Sequence, residues 1–318
     1  MVLNRIGLSP SLLPSLGSSR TSLCHLRVGL PLAHLRCRFS TATPDTKPTL
    51  FGRIVGYAKK SRDFVKQYYN GSRVLMRESK LAGELRKKRD RQGYQLTRAE
   101  HVLVHKSAMD VRKTIPFFIT LVVLPESLPF LMVYQPHFFP STCLSAEQWI
   151  TKWTNLAKIR TKFAQEATSA ARDGGAVMPE RFLSDSECAA IARSQSNYFI
   201  AENMSRQQLA VYNRFMGLPR FGLRSTLKKA LKSHFKYLRE DDLLIQKEGI
   251  DSLSDPQVQT ALEERGINSL GQSPEERRRS LQAWIKLHLH PDPHIPEGMM
   301  ILAVMFRSHI CGRIESAN

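Results

Sequence analysis

Glu126 is the one charged side chain in the run TIPFFITLVVLPESLPFLMVY, residues 114–134, which follows Arg112 and Lys113. A carboxylate at that depth in hydrocarbon costs on the order of a few kcal/mol unless it is protonated or paired. Glu126 is therefore a candidate for trading a proton against a cation, with Pro125 beside it freeing a backbone carbonyl. The plainer role is a carboxyl tolerated against a partner helix or a local water defect. A second group lies in residues 214–239, where Arg214, Arg220, Arg224, Lys228, Lys229, Lys232, Lys236 and Arg239 occur without one acid. Such a run suits phosphates of RNA or of anionic lipid, and a solvated face is the plain alternative. Phe221, Phe235 and Tyr237 within it read as core residues rather than base-stacking ones. A third group, His288, His290 and His294 in HLHPDPH, has no Cys or second His cluster nearby to complete four metal ligands, and its prolines suit a rigid loop. No nucleophile elbow, phosphate loop, H-E-x-x-H or dinucleotide fingerprint occurs, so no enzyme class, cofactor or small-molecule substrate is supported.

The elements that must carry these residues read as helices. Leu223, Leu227, Leu231, His234 and Leu238 recur at helical spacing, which leaves Lys228, Lys229, Lys232 and Lys236 on the opposite side of an amphipathic helix. From residue 145 onward the patterns are mostly helical, broken at Asp173-Gly174-Gly175, Gly217-Leu218-Pro219 and the Pro-rich run 290–296, and no period-two strand stands out. Asp255-Pro256 places a capping acid before a proline at the first helical position, and Gly266 closes that helix. Ser273-Pro274-Glu275-Glu276 forms an S-x-x-E capping box for the next one, with Leu270 and Trp284 available to pack the pair.

The whole-chain balance of 47 Lys and Arg against 28 Asp and Glu, a formal charge of +19, points to polyanionic partners, and 42% hydrophobic content excludes wholesale disorder. Five Cys without a CxxC pair argue for a reducing compartment rather than a disulfide framework. Residues 1–39 hold five Arg, many Ser and Leu and no acid, the composition of a mitochondrial transit peptide, with Arg38-Phe39-Ser40 as a processing site. A disordered basic tail is the alternative. Without this segment the balance is 42 against 28, still +14. Residues 47–113 carry 18 Lys or Arg and six acids, a polybasic membrane-adjacent segment or a plain solvated helix. The apolar run has 21 residues, enough at about 1.5 Å each to cross the roughly 30 Å hydrocarbon core once. A buried helix of a soluble domain is the alternative, made costly by Pro116, Pro125 and Pro129. A lone span cannot enclose an ion pathway, so transport would require a homo-oligomer or another membrane protein.

The order of blocks is distinctive: the Pro-rich span, FFPSTC, RFMGL at 214–218, DDLLIQKEGIDSLS at 241–254, LEERGINSLG at 262–271 and LQAWIKLHL at 281–289. Together, over about residues 110–306, they resemble the LETM family of mitochondrial inner-membrane proteins with its ribosome-binding domain. The resemblance implies an all-α chain: a single transmembrane helix followed by a helical 14-3-3-like domain in the matrix. The expected division is a transit peptide at 1–39, a basic juxtamembrane helical segment at 40–113, a transmembrane helix at 114–137 and the LETM-type domain at 138–318. It also implies mitochondrial ribosomes as partners and a role in potassium/proton exchange and ion homeostasis. Arg224, Lys228, Lys229, Lys232, Lys236 and Arg239 are then the candidate contacts to ribosome or inner-membrane lipid, and Glu126 with Pro125 the candidate ion-transport site. The coiled coil and EF-hand-like loop of longer members are not found in this sequence. The helix pair at 255–289 also loosely resembles SAP-type nucleic-acid modules, but Glu263, Glu264, Glu275 and Glu276 put acid where phosphate would want base.

Overall fold

The computed structural model describes residues 50–123, 141–173 and 178–315, and among the described residues every regular element is helical and no strand occurs. The chain divides into two compact units, one of them Leu13–Tyr69 and the other holding Asn70–Asn318. Of the first unit the structure describes residues 50–69, which belong to α1 (Leu50–Gln92).

In the second unit α1 and α2 (Arg98–Val123) form a hairpin. Ala82 and Leu85 bury against Val104, because positions three or four apart share a helix face. Gly93, at φ +63°, lets the chain turn, and Thr97 and Glu100 cap α2 reciprocally, the Thr97 amide donating to Glu100 Oε2 at 2.9 Å. α2 runs into the first part of the apolar run. Pro125, Glu126 and the rest of the expected span lie outside the described residues. Among the described residues no helix is long and apolar enough to cross a membrane.

The main body comprises α3 (Ala146–Arg172), α4 (Asp185–Phe199), α5 (Arg206–Met216), α6 (Arg224–Glu248), α7 (Asp255–Glu264), α8 (Pro274–His288) and α9 (Glu297–Glu315). Residues 299–306 of α9 are all buried, the mark of a helix that is apolar all round and takes the centre. α3 lies along it and supplies small residues, Ala164, Ala167 and Ala171, so that the helices approach closely. On another side Phe182, in a short 3-10 turn at Pro179–Leu183, meets Phe306 edge to face at 5.1 Å between centroids.

Three local expectations need correction. Leu223 was placed on the buried row of the basic helix, but it is the N-cap of α6 and is 74% exposed. Phe221, expected in the core, is 73% exposed in the preceding loop, while Phe235 and Tyr237 are buried as expected. The cap of α7 is Ser254, in a capping box with Gln257, rather than Asp255, which is the first helical residue. The box of Ser273 and Glu276 starts α8 as read.

Gly266 ends the α7 turn at φ +80°, with the Ile267 amide donating to the Leu262 carbonyl at 3.0 Å. A Cβ there would stand 2.9 Å from Phe215 Cε1 and 3.1 Å from Met216 Sδ. The left-handed conformation costs a non-glycine about 1–2 kcal/mol and overpacking about 1–3. Gly266→Ala is therefore expected to lower the unfolding free energy by roughly 2–5 kcal/mol in urea titrations. Gly271→Ala, at φ +83° with no heavy atom within 4 Å of its Cβ, should lose only the conformational part. Equal losses would refute the packing contribution.

Candidate functional site

α6 carries all six basic candidates and is built with two unlike faces. It holds neither Gly nor Pro, and Leu227, Leu231, Leu238 and Ile245 point inward at helical spacing. Lys229, Lys232 and Lys236 are exposed and Lys228 is half-buried. Lys232 is paired with Glu202, and that hydrogen bond raises the Lys232 ammonium above its ordinary value and lowers the Glu202 carboxyl below its own. The two arginines at the ends are held differently. The Arg224 guanidinium donates to the carbonyls of Met204, at 2.9 Å, and Glu202, and Arg239 donates to the His288 carbonyl at 3.2 Å. Part of their donor capacity is thus spent inside the domain, which fixes both ends of the basic face.

The inner face of α6 ends in a buried ionic cluster. Asp241 and Asp242 are fully buried side by side, where two carboxylates would be prohibitive unless matched by cations. Arg265, also fully buried, reaches both: its Nη2 is 2.7 Å from Asp241 Oδ2 and 2.6 Å from Asp242 Oδ1. Arg98 of α2 adds a second cation, Nε to Asp241 Oδ1 at 3.0 Å. From α8, Trp284 Nε1 donates to Asp242 Oδ2 at 3.0 Å and His288 Nδ1 lies 2.6 Å from the same oxygen. Burial alone would raise the Asp242 carboxyl, but Arg265 and the hydrogen bond with His288 hold it below the usual range. Burial likewise opposes the Arg265 charge, and the two carboxylates more than restore it.

A second staple joins α3, α5 and α7. Arg160, buried, donates from Nε to the Phe215 carbonyl at 3.1 Å and from Nη1 to Glu263 Oε2 at 2.5 Å. Glu263 Oε1 in turn accepts from the Ser269 amide and hydroxyl at 3.0 and 2.8 Å. Glu263 is therefore an internal ligand and Glu264 is partly buried. Neither supplies the acidic surface that the sequence reading held against a nucleic-acid role, and of the four only Glu275 and Glu276 are exposed.

Asp241, Asp242, Arg98 and Arg160 were not singled out from sequence, and Glu263, Trp284 and His288 were read in other roles, although a signal exists. Leu238, Asp241, Asp242 and Ile245 share one buried stripe, as do Arg160, Ala164, Ala167 and Ala171. A charge at an apolar position of such a stripe marks a buried pair. The metal reading of the His run is not supported: His288 is committed to Asp242. Among the described residues no group of three or more His, Cys, Asp or Glu side chains is placed to hold a metal ion.

Between α2, α6 and α7 lies a titratable layer. His105 stacks on Tyr237 at 3.6 Å between centroids, Tyr237 donates its hydroxyl to Glu264 Oε2 at 3.0 Å, and His234 Nε2 is 2.9 Å from the Glu264 carbonyl. Burial raises the Glu264 carboxyl from 4.5 to about 7 and lowers His105 and His234 from 6.5 to about 4. The signs oppose. The folded chain binds the Glu264 proton more tightly than the unfolded one, so this group loses stability as pH rises from 4.5 through 7. The histidines lose stability as pH falls from 6.5 toward 4. In Glu264→Gln, which keeps an acceptor for Tyr237, the gain over the parent is expected to be largest above pH 7 and to vanish by about pH 4.5, at up to about 1.4 kcal/mol per pH unit in between. Urea unfolding of both proteins across this range checks it. A pH-independent difference would show that Glu264 is ionised alike in both states.

Comparison with known proteins places this architecture. Residues 178–307, from the end of the segment before the 3-10 turn through most of α9, match the family model described as LETM1-like, RBD. The chain is 26% identical over 287 residues to the LETM1 domain-containing protein mdm28, mitochondrial, of Schizosaccharomyces pombe, covering 83% of this chain and 60% of that protein. It is 25% identical over 272 residues to the LETM1 domain-containing protein YLH47, mitochondrial, of Saccharomyces cerevisiae, covering 79% and 59%. The chain thus spans about three fifths of the length of these relatives. The matched segment contains α6 and most of the buried cluster, and Arg98 and Arg160 join it from outside. The chain is thus similar to LETM1 domain-containing mitochondrial proteins, and its residues 178–307, which hold α4 to α8 and most of α9, match the LETM1-like RBD.

Proposed function

We propose that this chain is a mitochondrial inner-membrane protein that holds mitochondrial ribosomes close to the bilayer and so supports membrane-coupled translation and insertion, and with it ion homeostasis. In this reading residues 1–39 are the transit peptide, 40–113 a basic juxtamembrane segment, 114–137 the single span and 138–318 a 14-3-3-like matrix domain. The observation that carries it is the exposed basic side of α6, fixed at both ends by arginines and lying in residues 203–239, which contain no acid at all. A rigid cationic face of this kind binds rRNA phosphate by counterion release. The match to a LETM1-like RBD supports the same partner. The 18 bases against six acids before the span would by themselves favour that side in the matrix, and we side with the family resemblance because imported proteins are inserted by another route. A part in potassium/proton exchange is the alternative, and it rests on Glu126 and on the same family resemblance.

Affinity capture of the tagged chain from mitochondria at low salt is expected to recover ribosomal proteins and to lose them steeply as salt rises. Recovery of none at low salt would end the proposal. Protease treatment of mitoplasts should leave a C-terminal tag intact, and a digested tag would place the domain on the wrong side for ribosomes.

A further inference from the structure

Two of the most exposed large apolar side chains in the domain stand one residue apart. Phe221 and Leu223 are 73% and 74% exposed in the loop between α5 and α6. Single exposed apolar residues are ordinary, so exposure alone decides nothing. What surrounds them does. Arg206, Arg220 and Arg224 adjoin the loop, Lys228 and Lys229 follow in the first turns of α6, and no acid lies in sequence between Glu202, which is paired with Lys232, and Glu240.

The loop is also held in place. Gly217, at φ +76°, ends α5, and the Gly222 carbonyl accepts from Arg206 Nε at 3.0 Å. Arg224 ties the far side to the carbonyls of Met204 and Glu202, and the Arg220 guanidinium lies 4.5 Å from the Phe221 ring centroid. These bonds fix the backbone on both sides of Phe221 and Leu223 and leave their side chains outside. Presentation of the pair is thus enforced by hydrogen bonds, at no further cost of ordering when a partner arrives.

We propose that this loop is a membrane wedge: Phe221 and Leu223 enter the boundary between headgroups and acyl chains of an anionic bilayer while Arg206, Arg220 and Arg224 meet lipid phosphate. Apolar tips inside a cationic collar are the chemistry of interfacial binding to anionic lipid. RNA fits less well, because an aliphatic Leu223 offers a base nothing to stack on or hydrogen-bond to. The wedge sits at one end of α6. Lys236 is twelve residues further, roughly 18 Å along the axis, so the far part of the basic face stays open to another partner. This inference rests on the reading of the chain as membrane-anchored.

The test uses the full chain in liposomes with and without cardiolipin, in the parent and in Phe221→Trp, with lipids brominated on the acyl chains. The parent's own three Trp supply the background. Quenching of Phe221→Trp above that background in cardiolipin bilayers, and its loss in phosphatidylcholine alone or on adding Arg206→Gln and Arg220→Gln, is the expected result. Resistance to alkaline carbonate reports the anchor separately. A carbonate-resistant chain whose Phe221→Trp is quenched no more than background would overturn the wedge and leave the anchor standing. Shielding of this Trp from an aqueous quencher by added ribosomes but not by cardiolipin would overturn it in favour of a ribosome contact. Should carbonate strip the chain, co-flotation with cardiolipin vesicles decides: it must fall by roughly tenfold in Phe221→Ser, Leu223→Ser, and an unchanged value rejects the wedge.

Discussion

Arg265→Met is expected to lower the unfolding free energy by about 3–5 kcal/mol, the usual cost of removing one partner from a buried ionic group. The size follows from what the substitution leaves behind. Arg265 is the cation shared by Asp241 and Asp242, and all three are fully buried. Without it Asp241 keeps Arg98, but Asp242 keeps only Trp284 and His288. Methionine fills much of the volume, so the loss is electrostatic rather than a cavity. Arg265→Met with Asp242→Asn removes the stranded charge as well and should recover part of the loss, a coupling that a double-mutant cycle in urea measures directly. A loss below about 1 kcal/mol for the single variant would mean that water or a rearranged side chain compensates the pair, contrary to the geometry.

Neutralising Lys228, Lys229, Lys232 and Lys236 to Gln is expected to weaken ribosome binding by roughly a hundredfold near 0.1 M salt. Each phosphate contact contributes about 0.7–0.9 to the slope of log affinity against log salt. Lys232 is engaged by Glu202, so about three contacts are at stake and the slope should fall by roughly two to three. Stability should change by no more than about 0.5 kcal/mol per site, because the buried row Leu227, Leu231, Leu238 is untouched and Glu202 is exposed. Sedimentation with purified ribosomes across a salt series reads both quantities. Unchanged affinity and an unchanged slope would show that this face is merely solvated.

Sequence alone determined the helical class, several helix ends and the resemblance to the LETM family. These rest on short-range physics: the 3.6-residue period of apolar side chains, the capping box at Ser273 and the left-handed glycine at 266 act within a few residues of themselves. The opposite sides of the basic helix were legible for the same reason. What only the tertiary structure decided is where each charge and each ring finds its partner. Arg98 meets Asp241 across 143 residues of chain and Arg160 meets Glu263 across 103. No local rule distinguishes those arginines from surface ones, because a buried charge is stable only if a specific opposite charge arrives from elsewhere. Leu223 and Phe221 fail as core predictions on the same ground. The spacing of Leu223 continues the row of Leu227 and Leu231, but the loop turns before α6 begins, and the hydrogen bonds of Arg206 and Arg224 to backbone carbonyls hold it outward against the apolar pattern.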